Sequence, residues 1–103
     1  MLAAVIESKR AALAELCRRM NVRRLELFGS ATRDDFDPAR SDLDFLVEFD
    51  PDSTRSALST YFDLKDELEV LFGRRVDLVM PRAVQNPFVR ASIDRSRRLL
   101  YAA

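Results

Sequence analysis

Apolar residues along this chain recur first at three- and four-residue intervals, then at every second position, and the switches between these two periods mark out its elements. Leu2, Val5, Ile6, Leu13, Leu16, Cys17 and Met20 form one stripe of an amphipathic helix over residues 2–20, with Asn21 as its stop. Residues 23–28 alternate as a short strand with Leu25 and Leu27 on one face, and Gly29-Ser30 break the pattern. The clearest strand is Asp42–Phe49. There Leu43, Phe45, Val47 and Phe49 share one face, which leaves Asp42, Asp44, Leu46 and Glu48 on the other, and Pro51 ends the run.

Asp52 and Ser53 are suited to cap a helix that extends to about Phe72, carrying Ala57, Tyr61, Leu64, Leu68, Leu71 and Phe72 at helical spacing, with Gly73 as its C-terminal stop. A third strand spans residues 75–80. It sets Val76, Leu78 and Met80 on one side and Asp77 with Val79 on the other, and Pro81 closes it. A last helix is expected over about 87–95, opening at Asn86-Pro87, because proline suits the first helical turn. The tail from Arg97 to Tyr101 reads equally as an edge strand or as more helix. With no internal repeat and no linker, the chain is expected to form one domain over residues 1–103. Its fold class is α/β (α+β), a small mixed β-sheet with flanking helices.

Charge adds what periodicity does not show. The 17 basic and 17 acidic residues cancel, yet they are segregated along the chain. Residues 1–24 hold six bases against Glu7 and Glu15, and residues 74–103 hold seven arginines against Asp77 and Asp94. Between Ser30 and Asp52 stand eight acids against Arg33 and Arg40. A protein that binds nucleic acid on its own usually presents a net basic surface, so no direct nucleic-acid partner is expected. The single cysteine excludes an internal disulfide, and the absence of histidine excludes an imidazole base or metal ligand. No apolar run approaches the roughly 20 residues of a membrane span, and the start lacks the pattern of a signal peptide, so no membrane contact and a cytoplasmic location are expected. Cys17 lies on the buried stripe of the first helix and reads as a small hydrophobe rather than a nucleophile.

The chemistry that remains falls to carboxylates. Asp42 and Asp44 are two apart on a strand, so both project from one face roughly 7 Å apart along the chain. Like charges placed so are costly without a cation, and a pair of hard divalent ions such as Mg2+, about 3.5–4 Å apart, neutralises them and is the usual device for in-line phosphoryl or nucleotidyl transfer. Asp77, the acid embedded in the next apolar strand, is the natural third ligand. Upstream, Gly29-Ser30 ends a strand with a turn that lets backbone and hydroxyl approach a phosphate. Alone it is only a turn; before an Asp-x-Asp strand it becomes a candidate phosphate cradle. Arg33 fits as a counter-charge to a triphosphate.

Phe28-Gly29-Ser30, Arg33, the run from Ser41 to Val47 and the isolated Asp77 strand together resemble the DNA polymerase β-type nucleotidyltransferase superfamily, whose mark is Gly-Ser followed by Asp-x-Asp. The chain's length, Asn86-Pro87-Phe88 and Tyr101 make it similar to the minimal nucleotidyltransferases (MNT) encoded beside HEPN-domain proteins. This resemblance implies the polymerase β-type nucleotidyltransferase fold, with Asp42, Asp44 and Asp77 as catalytic residues ligating two Mg2+ and Asp77 also acting on the acceptor hydroxyl. Gly29, Ser30 and Arg33 would hold the phosphates of ATP. It further implies that AMP is transferred to a tyrosine of a HEPN-domain toxin, so that the chain acts as its antitoxin. The eleven residues between Ser30 and Asp42 are one more than the commonest family spacing, a departure confined to the loop.

A chain this short has little surface with which to enclose a second substrate, so a heterocomplex or oligomer is expected to supply that wall. Candidate contacts are Tyr61, Phe62, Phe88 and Tyr101 with Arg90, Arg95, Arg97 and Arg98. Two other readings share the fold: a non-catalytic antitoxin that neutralises its partner by binding alone, and a nucleotidyltransferase acting on a small molecule.

Overall fold

The computed structural model describes residues 4–32, 42–52 and 57–103. Its centre is a four-stranded mixed sheet of strands β1 (Val22–Phe28), β2 (Leu43–Phe49), β3 (Val76–Val79) and β4 (Arg98–Ala102), in the order β3-β2-β1-β4. β1 pairs antiparallel with both β2 and β4, while β2 and β3 run parallel. Parallel neighbours need a crossover, and helix α3 (Ala57–Phe72) provides it. Three further helices, α1 (Ala4–Glu7), α2 (Arg10–Arg19) and α4 (Pro87–Ser96), flank the sheet.

The period-two alternation divides the sheet into two faces. Leu25, Leu27, Leu43, Phe45, Val47, Val76 and Leu78 turn to one side and join Leu13, Leu16 and Cys17 of α2 and Leu64, Leu68 and Phe72 of α3 in a single buried cluster. Phe45 and Phe72 stack with ring centroids 5.8 Å apart. Burial of each such side chain contributes about 1.5–3 kcal/mol. The cluster is what holds α2 and α3 to the sheet. Leu46 and Ile93 are also buried but lie outside this cluster; Leu46 alternates to the second face of β2, and Ile93 is the buried residue of α4.

The expected first helix is in fact two. α1 ends at Glu7 and α2 begins at Arg10, because Ser8 turns its hydroxyl back onto the Val5 carbonyl at 3.0 Å and the Lys9 amide tightens onto Ile6. Serine competes in this way for backbone groups that a continuous helix would use. Asn21 ends α2 as expected, in the left-handed region at φ 57°, and its carbonyl accepts the Asp50 amide. Gly73, at φ 64°, likewise follows the end of α3. The segment that precedes Ala57, with the Ser53 cap, lies outside the described residues, and Asp52 stands in a turn. α4 opens as read: the Asn86 side chain accepts the amides of Phe88 and Val89 ahead of Pro87 in the first turn. The tail resolves into strand β4 at a sheet edge.

Candidate functional site

Asp44 and Asp77 are direct partners in the parallel register of β2 and β3. Residues so paired project to the same face, and neighbouring strands lie about 4.8 Å apart, so the two carboxylates stand side by side. Their chain neighbours Leu43, Phe45, Val76 and Leu78 are all buried on the opposite face, which is why the acids face outward. Asp44 is half-buried and Asp77 exposed. Asp42 stands one residue ahead of β2 and is exposed.

The same row of the sheet continues onto β1, where Phe28 is the register partner of Asp44. The chain then turns at Gly29 into a 3-10 turn, Gly29–Thr32. Gly29 has φ 76°, and a Cβ built there would lie 2.5 Å from Oδ2 of Asp44. Both facts demand glycine: the backbone is in the left-handed region, and the carboxylate occupies the space a side chain needs. The two halves of the sequence motif are thus in contact. Thr32 closes the turn by donating its hydroxyl to the Gly29 carbonyl at 2.8 Å, and the Gly29 amide donates to Oγ of Ser96 at 3.0 Å.

Ser30 lies within this turn, whereas Arg33 lies outside the described residues. The structure therefore brings Gly29, Ser30, Asp44 and Asp77 to one end of the sheet. Among the described residues, no three carboxylate or thiolate groups stand close enough to enclose a metal ion. The donors suit a hard divalent cation all the same, since Asp44 and Asp77 present carboxylate oxygens on one face. A cleft of about 420 Å³ between Asn21, Arg23, Pro51 and Tyr101 is elsewhere: it opens where β1 begins and β2 ends, at the far end of the strands from Gly29.

Two residues near the turn escaped the sequence reading. Glu26 alternates to the face opposite the core, where a polar strand residue is ordinarily exposed, yet it is only 3% exposed. Arg97 forks onto it, Nε to Oε2 at 2.7 Å and Nη2 to Oε1 at 2.6 Å, and Arg24 adds a third bond at 2.7 Å. The hydrogen bonds from Arg97 foremost, helped by Arg24, hold the Glu26 carboxyl down at about 2. Arg97 also bonds Asp94, so this arginine serves the fold rather than a partner surface. Ser96, next to it, is the acceptor for Gly29. Tyr61, another candidate contact, is half-buried and donates its hydroxyl to the Leu78 carbonyl at 2.6 Å. Phe62 and Phe88 do stay exposed. Cys17 is buried as expected, and burial pushes its thiol up to about 12.

The model of the nucleotidyltransferase domain family matches residues 9–100. This chain belongs to that family. Among related nucleotidyltransferases, the protein adenylyltransferase MntA of Thermococcus cleftensis is 38% identical over 72 residues, 70% of this chain and 69% of that one. A solved structure provisionally named a minimal nucleotidyltransferase is 35% identical and superposes with a TM-score of 0.74 over 95% of each chain. A complex of tri-AMPylated HEPN toxin with MNT antitoxin from Shewanella oneidensis matches with a TM-score of 0.63 at 18% identity, covering 94% of this chain and 72% of that one, a likeness of fold. The expected mixed α/β nucleotidyltransferase fold and the enzyme class are both borne out. No helix among the described residues is long and apolar enough to cross a membrane.

Proposed function

We infer that this nucleotidyltransferase transfers AMP from ATP to a tyrosine hydroxyl of a HEPN-domain toxin and thereby acts as its antitoxin in the cytoplasm. The observation that carries the reading is the Asp44–Asp77 pair, one strand apart on one face, with Asp44 against a glycine turn that no side chain can enter. A protein that masked its partner by contact alone would have no use for that arrangement. Two crowded carboxylates cost stability unless a cation or substrate offsets them. The likeness to MntA supports AMP transfer to protein, and the likeness of fold to the Shewanella complex supports the kind of partner.

In the reaction the acceptor oxygen attacks the α-phosphorus of ATP. The bond from that phosphorus to the oxygen bridging to the β-phosphate breaks, and pyrophosphate leaves. The hydroxyl proton passes to the Asp77 carboxylate and on to water, leaving a phosphodiester on the tyrosine. Asp42, Asp44 and Asp77 would hold two Mg2+, which when bound neutralise charge that develops on the phosphate oxygens. Gly29, Ser30 and Arg33 hold the phosphate tail, with Gly29 allowing the closest approach of backbone. The HEPN partner supplies the second wall of the site.

Intact-mass spectrometry of the chain mixed with its HEPN partner, ATP and Mg2+ tests this reading. Adenylyl-sized mass steps on the partner, absent with Asp44→Asn, are expected. A stable complex without any mass change would instead assign neutralisation by binding.

A further inference from the structure

Beside the Gly29 turn is a second recess, of about 220 Å³, lined by Thr32, Ser92, Arg95, Ser96 and Arg98. Among the described residues its lining is three hydroxyls and two guanidinium groups, with neither a carboxylate nor an apolar side chain. Arg95 makes no ion pair or hydrogen bond among the described residues, and Arg98 spends one donor on the Arg97 carbonyl at 2.9 Å. Their neighbour Arg97 differs, its donors being taken by Glu26 and Asp94. Two uncompensated guanidinium groups at one recess repel each other, and their planar forks match phosphate oxygens two at a time. The recess is also continuous with the turn. Thr32 belongs to both, and Ser96 lines the recess while accepting the Gly29 amide. An anion placed there lies against the turn that touches Asp44.

We propose that this recess seats the distal phosphates of the nucleotide, and the pyrophosphate they become, with Arg95 and Arg98 as their binding residues. This rests on the nucleotidyl-transfer reading above and extends the Gly29, Ser30 and Arg33 cradle with a place for the far end of the phosphate tail and for the leaving group. Ser96 then has two duties: it fixes the turn and borders the anion.

Arg95 and Arg98 are exposed, so Arg95→Ala/Arg98→Ala leaves the fold intact, checked by an unchanged melting temperature. Two measurements test the site: transfer kinetics with ATP and a titration of inorganic pyrophosphate. The double variant is expected to raise KM for ATP about tenfold or more with a smaller change in kcat, and to weaken pyrophosphate binding in parallel. If only pyrophosphate binding weakens, the recess holds the released product; if both change together, it also holds the tail of bound ATP. Transfer with KM and pyrophosphate affinity both within twofold of the wild type overturns the recess and leaves the activity standing. A wild-type chain that transfers nothing, yet binds pyrophosphate in a manner lost in the double variant, overturns the activity and keeps the recess.

Discussion

Gly29 and Asp44 occupy each other's space: the carboxylate Oδ2 of Asp44 fills the position where any side chain at Gly29 would begin. Gly29→Ala therefore forces either the turn or the carboxylate to move, in addition to the strain of a left-handed alanine, about 1–2 kcal/mol. Gly73 is the control. It shares the positive φ, at 64°, but has nothing within 4 Å of its would-be Cβ. Both alanine variants are expected to lose about 1–2 kcal/mol or more in urea denaturation, while only Gly29→Ala abolishes nucleotidyl transfer. Equal activity in the two would show that Asp44 can be displaced without consequence.

Asp44→Asn and Asp77→Asn are expected to lower transfer about 100-fold or more, with an unchanged circular dichroism spectrum showing that the fold is kept. Asp42→Asn is expected to behave alike. Thermal unfolding with Mg2+ and ATP at about 100 times Kd should raise the wild-type melting temperature by roughly 10 °C or more, since the linkage is worth about 2.7 kcal/mol in a domain of this size. An equal rise in the double variant Asp44→Asn/Asp77→Asn would place the nucleotide away from these strands.

Acid stability depends on Glu26. Its carboxyl is held at about 2 in the folded chain against 4.5 for the free group, so the unfolded state binds more protons between those values. The stabilisation is present in full above pH 4.5 and is lost as pH falls toward 2. Glu26→Gln should cost about 1.5–3 kcal/mol at neutral pH and flatten the decline in stability between pH 4.5 and 2, as read by denaturant midpoints across that range. A decline in the variant as steep as in the wild type would assign acid sensitivity to other carboxylates.

Cys17, fully buried with its thiol pushed up to about 12, should resist a thiol reagent in the native chain and react only as rapidly as the chain unfolds. Cys17→Ser places a hydroxyl in an apolar cluster and should cost about 1–3 kcal/mol with no change in KM for ATP.

Periodicity made the strands and the identity of the core legible, because Leu25, Leu27, Leu43, Phe45 and Val47 alternate so regularly that the face they bury is unambiguous. The same alternation placed Asp44 and Asp77 on the other face, although only the parallel register of β2 and β3 makes them neighbours. Partnerships distant in sequence were not legible. Glu26 looks like an ordinary exposed strand residue, and nothing local indicates that Arg97, 71 positions later, folds back onto it. Ser96 is hidden for the same reason, since a serine near a helix end has many uses and its acceptor role arises only where α4 meets the turn. The break at Ser8 was invisible because Ile6 and Leu13, on either side of it, are seven residues apart and so fall on one face of a continuous helix as well.

The pleat that sorts these side chains also guards against a defective enzyme. Sliding β3 by one residue along β2 would turn Asp77 into the apolar cluster and bring Val76 or Leu78 out in its place, so that the misregistered sheet loses its core and its chemistry together. A one-residue misregister therefore cannot keep a packed core, and the packing that stabilises the sheet is tied to the face on which Asp44 and Asp77 meet.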